Sequence, residues 1–166
     1  MRAGIALGSN LGNRLQSLTT ARERIFALPG VQPPLRASAL YQTEPVDCEA
    51  GAKKFLNAVL EVEYVGRPEQ LLKELRRIEA ELGRPASHLR NQSRAIDLDL
   101  LYHGTQMIDQ AELQLPHPRM HLRAFVLEPL AEIRPDLVLP GQTRTVAELS
   151  VALAAGPAVV RSARQW

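Results

Sequence analysis

The residue order predicts an α+β fold built on an antiparallel sheet, and three observations predict it. The first hundred residues alternate strand and helix periods in the order βαββαβ, Pro29-Gly30 and Gly83 stop the two helical stretches, and each of these stretches carries one apolar stripe. Ile5-Ala6-Leu7 is an apolar run ending in Gly8-Ser9-Asn10 and Leu11-Gly12-Asn13, a buried strand that enters a turn and then a helix start. Leu15, Leu18, Ile25 and Leu28 follow at helical spacing. Leu35 to Gln42 reads as a second strand, and the proline, acid and glycine content of Glu44 to Gly51 as a long loop. Phe55 to Tyr64 alternates with period two: Ala58, Leu60, Val62 and Tyr64 share one face, Asn57, Val59, Glu61 and Glu63 the other. Gly66-Arg67-Pro68 opens a second helix striped by Leu71, Leu72, Leu75, Ile78 and Leu82, with Gly83 as its C-terminal cap. Arg84 to Ser93 is polar and without period, a second long loop. Ala95 to Tyr102 returns to strand, with Ile96, Leu98, Leu100 and Tyr102 on one face and Asp97, Asp99 and Leu101 on the other. This order is that of a split-βαβ, ferredoxin-like core with both helices on one face of the sheet. The rest is punctuated by proline and forms a C-terminal extension, in which Thr145-x-x-Glu148 reads as a capping box before Val146, Leu149 and Leu153. No repeat and no glycine- or serine-rich linker divides the chain, so one domain over 1–166 is expected.

Composition bounds the function. With 166 residues, 45% hydrophobic and 23% charged, the chain is long enough to bury a core without a metal or disulfide staple. A net charge of +2 and 4% aromatic residues disfavour a nucleic-acid partner. No stretch has the run of apolar residues that a membrane span needs, the N-terminus lacks a signal-peptide core, and the single Cys48 fits a reducing compartment; a cytoplasmic protein with no membrane partner is expected. Only Lys53, Lys54 and Lys73 among the 20 basic side chains are lysines; the arginine excess suits phosphate but equally a GC-rich genome.

Asp97 and Asp99, two apart on a strand, project from one face roughly 6 to 7 Å apart. Two hard oxygen ligands facing one point suit magnesium bound together with substrate phosphates; a bare D-x-D is also an ordinary solvated strand face. Arg84, Arg90 and Arg94 feed this strand, where they could fold over an anion held there or belong simply to a solvated loop. His117, between Pro116 and Pro118, sits on a rigid backbone that could aim a donor at phosphate, or simply on a surface loop. Phe55 and Phe125 flank polar residues at loop edges, where they would stack on a flat heterocycle or serve as core. No G-x-x-x-x-G-K-[ST] loop, G-x-S-x-G elbow or H-E-x-x-H pair is present.

Taken in order, Ala6-Leu7-Gly8-Ser9-Asn10-Leu11-Gly12, Tyr41-x-Thr43-x-Pro45, Phe55-Leu56-Asn57, Arg84 with Arg94-x-Ile96-Asp97-Leu98-Asp99-Leu100, and Pro116-His117-Pro118-Arg119-Met120 through Arg123-Ala124-Phe125 resemble the bacterial 6-hydroxymethyl-7,8-dihydropterin pyrophosphokinases across roughly residues 3 to 140. The resemblance implies a folate-biosynthesis enzyme, acting as a monomer, that moves pyrophosphate from ATP to the pterin hydroxymethyl and releases AMP, with two magnesium ions. By position it implies Asp97 and Asp99 as metal ligands, with Asp97 helping to activate the hydroxyl. Arg84 and Arg94 match the mobile catalytic arginines, and Arg76, Glu79, His117 and Arg123 join them on the ATP side, with Arg76 and Glu79 on the exposed side of the second helix. Thr43, Pro45, Val46, Phe55, Asn57 and Phe125 would form the pterin slot, the two phenylalanines as its walls. The chain departs from many relatives at Arg84-Pro85-Ala86, in place of R-x-R, and at Asn91-Gln92-Ser93-Arg94-Ala95, in place of W-G-P-R-T; Glu112 and Gln114 also replace residues that touch nucleotide in some relatives. The βαββαβ order also suits an RNA-binding module, and D-x-D a nucleotidyltransferase that releases pyrophosphate.

Overall fold

A computed structural model describes residues 1–45, 51–83 and 93–166. Val46, Cys48, Arg84 and Arg90, and with them most of both expected loops, lie outside the described residues. The elements run β1 (Arg2–Ser9), α1 (Arg14–Phe26), β2 (Val31–Ala37), β3 (Tyr41–Thr43), β4 (Phe55–Tyr64), α2 (Pro68–Glu81), β5 (Asp97–His103), β6 (Ile108–Gln110), β7 (Leu113–Leu115), α3 (Ala124–Ile133), α4 (Val146–Ala152) and β8 (Val159–Arg161). The main sheet has the order β5-β1-β4-β3-β8, with β2 also on β4, and its pairings are antiparallel. That is the expected split-βαβ arrangement, with β1 and β4 at its centre.

The alternation in β4 sorts the molecule into two cores. Leu56, Ala58, Leu60, Val62 and Tyr64 face α1 and α2, meeting Leu18, Ile25, Leu71, Leu75 and Ile78. The opposite face, through Val59, packs on Leu127 and Leu130 of α3 and on Val146 and Leu149 of α4. Each fully buried leucine or isoleucine contributes about 1.5–3 kcal/mol. Asn13 caps α1 by accepting from Gln16 N, Gly83 takes the left-handed φ of 92° that ends α2, and the Thr145–Glu148 capping box opens α4 as expected.

Three expectations are corrected. The segment 35–42 is two strands: Pro33 and Pro34 give the ladder no N–H, the β2–β4 register shifts between Gln32 and Arg36, and Ser38 Oγ accepts from Val59 N where the chain leaves the sheet. Tyr102 does not share a face with Leu100. The β1–β5 register shifts between Gly4 and Ile5, a bulge that sends both Leu101 and Tyr102 into the α3–α4 core, where the Tyr102 hydroxyl donates to the buried Glu61. Glu79 is not on the exposed side of α2; it is buried, and its carboxylate accepts from Leu98 N at 2.7 Å on the edge strand β5. The extension also holds more structure than the capping box signalled, namely the β6–β7 hairpin, α3 and β8. Among the described residues no helix is long and apolar enough to cross a membrane.

Candidate active site

The site lies on the α3–α4 side of the sheet, where β1 runs out toward Asn10. Across three strands, Asn57, Gly8 and Asp97 stand in one row, and Val59, Ala6 and Asp99 in the next. Space is tight in the first row: a Cβ on Gly8 would meet Asn57 Oδ1 at 3.3 Å. Over these rows opens a cleft of about 340 Å³, which gathers Thr43, Phe55, Asn57, Arg94, Asp97, Asp99, Arg123 and Phe125, eight of the residues singled out in the sequence. Buried Asn57 donates to Thr43 Oγ1 at 2.9 Å, which fixes the orientation of its amide.

Arginines already meet the carboxylates. Arg94 Nη1 lies 3.2 Å from Asp97 Oδ1, and Arg123 Nη1 donates to Asp99 Oδ2 at 3.4 Å. His117 Nε2 stands 3.9 Å from the same Asp99 oxygen. Burial pushes the His117 imidazolium and the Arg123 guanidinium below their usual pKa ranges, while Asp99 pulls each the other way. His117 is therefore disposed to be neutral at pH 7, a hydrogen-bonding group and not a fixed cation. Arg94 Nε is buried without a hydrogen-bond partner among the described residues. The Arg123 guanidinium lies over the Phe125 ring at 5.4 Å, so the first residues of α3 and the β5 carboxylates form one charged rim.

A second, more polar cleft of about 400 Å³ lies on the other side of Asp99, between α2 and the β6–β7 hairpin; Arg76, Glu112, Gln114, His117 and Arg119 line it. Arg76 reaches across to Glu112 at 3.3 Å. Asp99 and Arg119 border both clefts. Glu79 lines neither, and Pro45 is at the described end of the chain beside the first.

Four residues carried no assigned role in the sequence. Arg119 lies inside the P-H-P-R-M block, but nothing in its spacing marks it as shared by two clefts. Asn10 reads as a turn residue, yet it is fully buried: its Oδ1 accepts from Arg94 N at 2.7 Å and its Nδ2 donates to Ser93 Oγ at 2.9 Å. Pro157 and Val159 close the first cleft from a stretch with no legible pattern.

A family model described as 7,8-dihydro-6-hydroxymethylpterin-pyrophosphokinase (HPPK) matches residues 4–135, most of the chain and both clefts' catalytic-looking residues. The chain belongs to this family of folate-biosynthesis enzymes. It is 43% identical, over 86% of its own length and 88% of the relative, to the 2-amino-4-hydroxy-6-hydroxymethyldihydropteridine pyrophosphokinase of Methylorubrum extorquens. It is 40% identical to the Haemophilus influenzae protein of the same name, covering 83% of this chain and 84% of that one. Other HPPK relatives are far longer. The chain is 43% identical to the folic acid synthesis protein fol1 of Pneumocystis carinii over 82% of its length but spans 18% of that protein. A Plasmodium falciparum HPPK-DHPS crystal structure with pterin and p-hydroxybenzoate shares the fold at a TM-score of 0.67 and 14% identity, covering 93% of this chain and 43% of that one.

Proposed function

We propose that this chain transfers a pyrophosphoryl group from ATP to the hydroxymethyl oxygen of 6-hydroxymethyl-7,8-dihydropterin and releases AMP, with one cleft for each substrate. The observation that carries this reading is the position of Asp99, which borders both clefts, so that the carboxylate pair stands where an acceptor in one meets a triphosphate in the other. The first cleft takes the pterin, with Phe55 and Phe125 as flat walls. Asn57 and Thr43 offer donors and acceptors to its edge, and Pro45 and Val46 are proposed to join them by their position in the sequence; a buried polar group left unmatched there costs about 1–3 kcal/mol, which selects against rings lacking the pattern. The second cleft takes the nucleotide, with Arg76 and His117 on its walls and Arg94 and Arg123 toward the phosphates; Arg84, outside the described residues, is proposed to join them by its position in the sequence. Glu79 serves the site by holding β5 and not by touching ATP.

The donor set fits magnesium. Asp97 and Asp99 are hard oxygen ligands on one strand face, as suits an ion that keeps waters and takes further oxygens from phosphates. Two such ions, when bound, would neutralise phosphate charge that builds during in-line displacement. The chain's own residues do the rest. Asp97 takes up the hydroxyl proton as the acceptor oxygen bonds to the β-phosphorus; the bond from that phosphorus to the α–β bridging oxygen breaks, and AMP leaves with the bridging oxygen. Arg94 and Arg123 turn from the carboxylates to non-bridging oxygens, and the phenylalanine walls keep water from competing with the acceptor.

Incubation with ATP, Mg²⁺ and the reduced pterin is expected to yield AMP and pterin diphosphate in equal amounts. Asp97→Ala and Asp99→Ala are each expected to lower the rate about a thousandfold or more, roughly 4 kcal/mol of barrier, with the melting temperature little changed. AMP release near the wild-type rate by both variants overturns the assignment, and pyrophosphate release in place of AMP points to nucleotidyl transfer.

A further inference from the structure

Residues 157–161 lie beyond the stretch matched by the family model, which ends at 135, yet Pro157 and Val159 line the acceptor cleft alongside Thr43 and Phe55. We propose that β8 is the outer wall of that cleft and sets its affinity for the flat heterocyclic acceptor; the inference rests on the function proposed above. The placement of Val159 is built into the sheet. It pairs with Thr43 across the β3–β8 ladder, so the strand that carries one slot residue positions the other. The alternation of a strand then directs Val159 to the cleft and leaves Val160 59% exposed on the opposite side.

Four bonds hold this wall in place. Ser162 N donates to Leu40 O at 2.7 Å, and Trp166 Nε1 donates to Ser38 O at 2.9 Å. Arg161 Nη2 donates to Glu132 Oε1 at 2.9 Å, and the other oxygen of Glu132 accepts from Tyr41 OH, also at 2.9 Å, so α3, β3 and β8 close on one carboxylate. Proline and valine offer the acceptor no charge and no side-chain hydrogen bond. They suit the apolar rim of a ring and exclude a charged or bulky substituent at that edge.

The test uses the full chain and 6-hydroxymethylpterin, the fluorescent oxidised form of the acceptor, with affinity read by fluorescence titration. Val159→Arg is expected to weaken pterin binding tenfold or more. Val160→Arg, on the same strand but facing solvent, is expected to stay within twofold of wild type. Arg161→Ala is expected to weaken binding a few-fold and Arg161→Lys to recover most of the loss, while the affinity for a non-hydrolysable ATP analogue stays constant throughout. Equal pterin affinity in wild type and Val159→Arg overturns the wall but leaves the proposed activity standing, as does an equal loss in the Val159 and Val160 variants. Failure of the wild-type chain to bind the pterin overturns both.

Discussion

Asn10 is the single side chain whose removal should reach furthest. Asn10→Ala strips a buried acceptor from Arg94 N, at a cost of about 1–3 kcal/mol, and frees the backbone that aims Arg94 at Asp97. A lower melting temperature and a kcat reduced tenfold or more are expected, with the KM for ATP less affected; thermal melts and steady-state AMP formation measure both. Nothing local in the sequence announces this role, because the bonded partners are 83 and 84 positions away. That Asp97 and Asp99 share a face, by contrast, was legible from spacing, since a strand puts residues two apart on one side; their role as ligands came only with the resemblance. His103 carries a pH dependence. Burial holds its pKa below the usual histidine value, against the opposing pull of its Gln106 hydrogen bond and of Glu69 and Glu63. The folded chain therefore keeps it neutral while the unfolded chain takes up a proton near pH 6.5, so its contribution is complete above about that pH and is lost as pH falls toward the depressed folded value. The melting temperature is expected to drop between pH 7 and pH 5, and to drop less in His103→Gln; identical slopes would remove His103 as the cause.

Among the elements, β4 and α2 were readable because ten and fourteen residues repeat one period long enough to outweigh chance. The three-residue strands β3, β6, β7 and β8 are too short to show a period, and Pro129 inside α3 masks a helix that is apolar on the face it buries. The β1–β5 bulge was invisible for another reason: it depends on Gly4, where a Cβ would stand 2.2 Å from the Tyr102 ring. Gly4→Ala is therefore expected to destabilise by about 1–3 kcal/mol through overpacking, read from denaturant midpoints, and Tyr102→Leu in the same chain is expected to return part of the loss. Glu79 gives a second test at this scale. Glu79→Gln keeps an acceptor for Leu98 N and should retain activity better than Glu79→Ala, which leaves the edge of β5 unpaired beside both aspartates. Equal activity in the two variants would show that the bond does not position the strand.

At the scale of the whole molecule, the two hydrophobic cores lie on opposite faces of one sheet, and Val59 and Leu60 of adjacent positions feed one each. Neither face has a sheet without the other, so the chain is expected to unfold as one unit. Far-UV circular dichroism and the fluorescence of Trp166, the only tryptophan, should report coincident thermal transitions; two separated midpoints would divide the chain into two units. The same sheet carries α3 and α4 on one face, beside the first cleft. It also acts as a ruler. Asn57 and Asp97 are separated by Gly8 alone, two strand spacings of about 4.8 Å whose length is set by backbone hydrogen bonds and not by any side chain. On the proposed reading, a ring anchored at Asn57 would deliver its hydroxyl to the carboxylates over that interval, and acceptors with a longer or shorter arm are expected to turn over poorly.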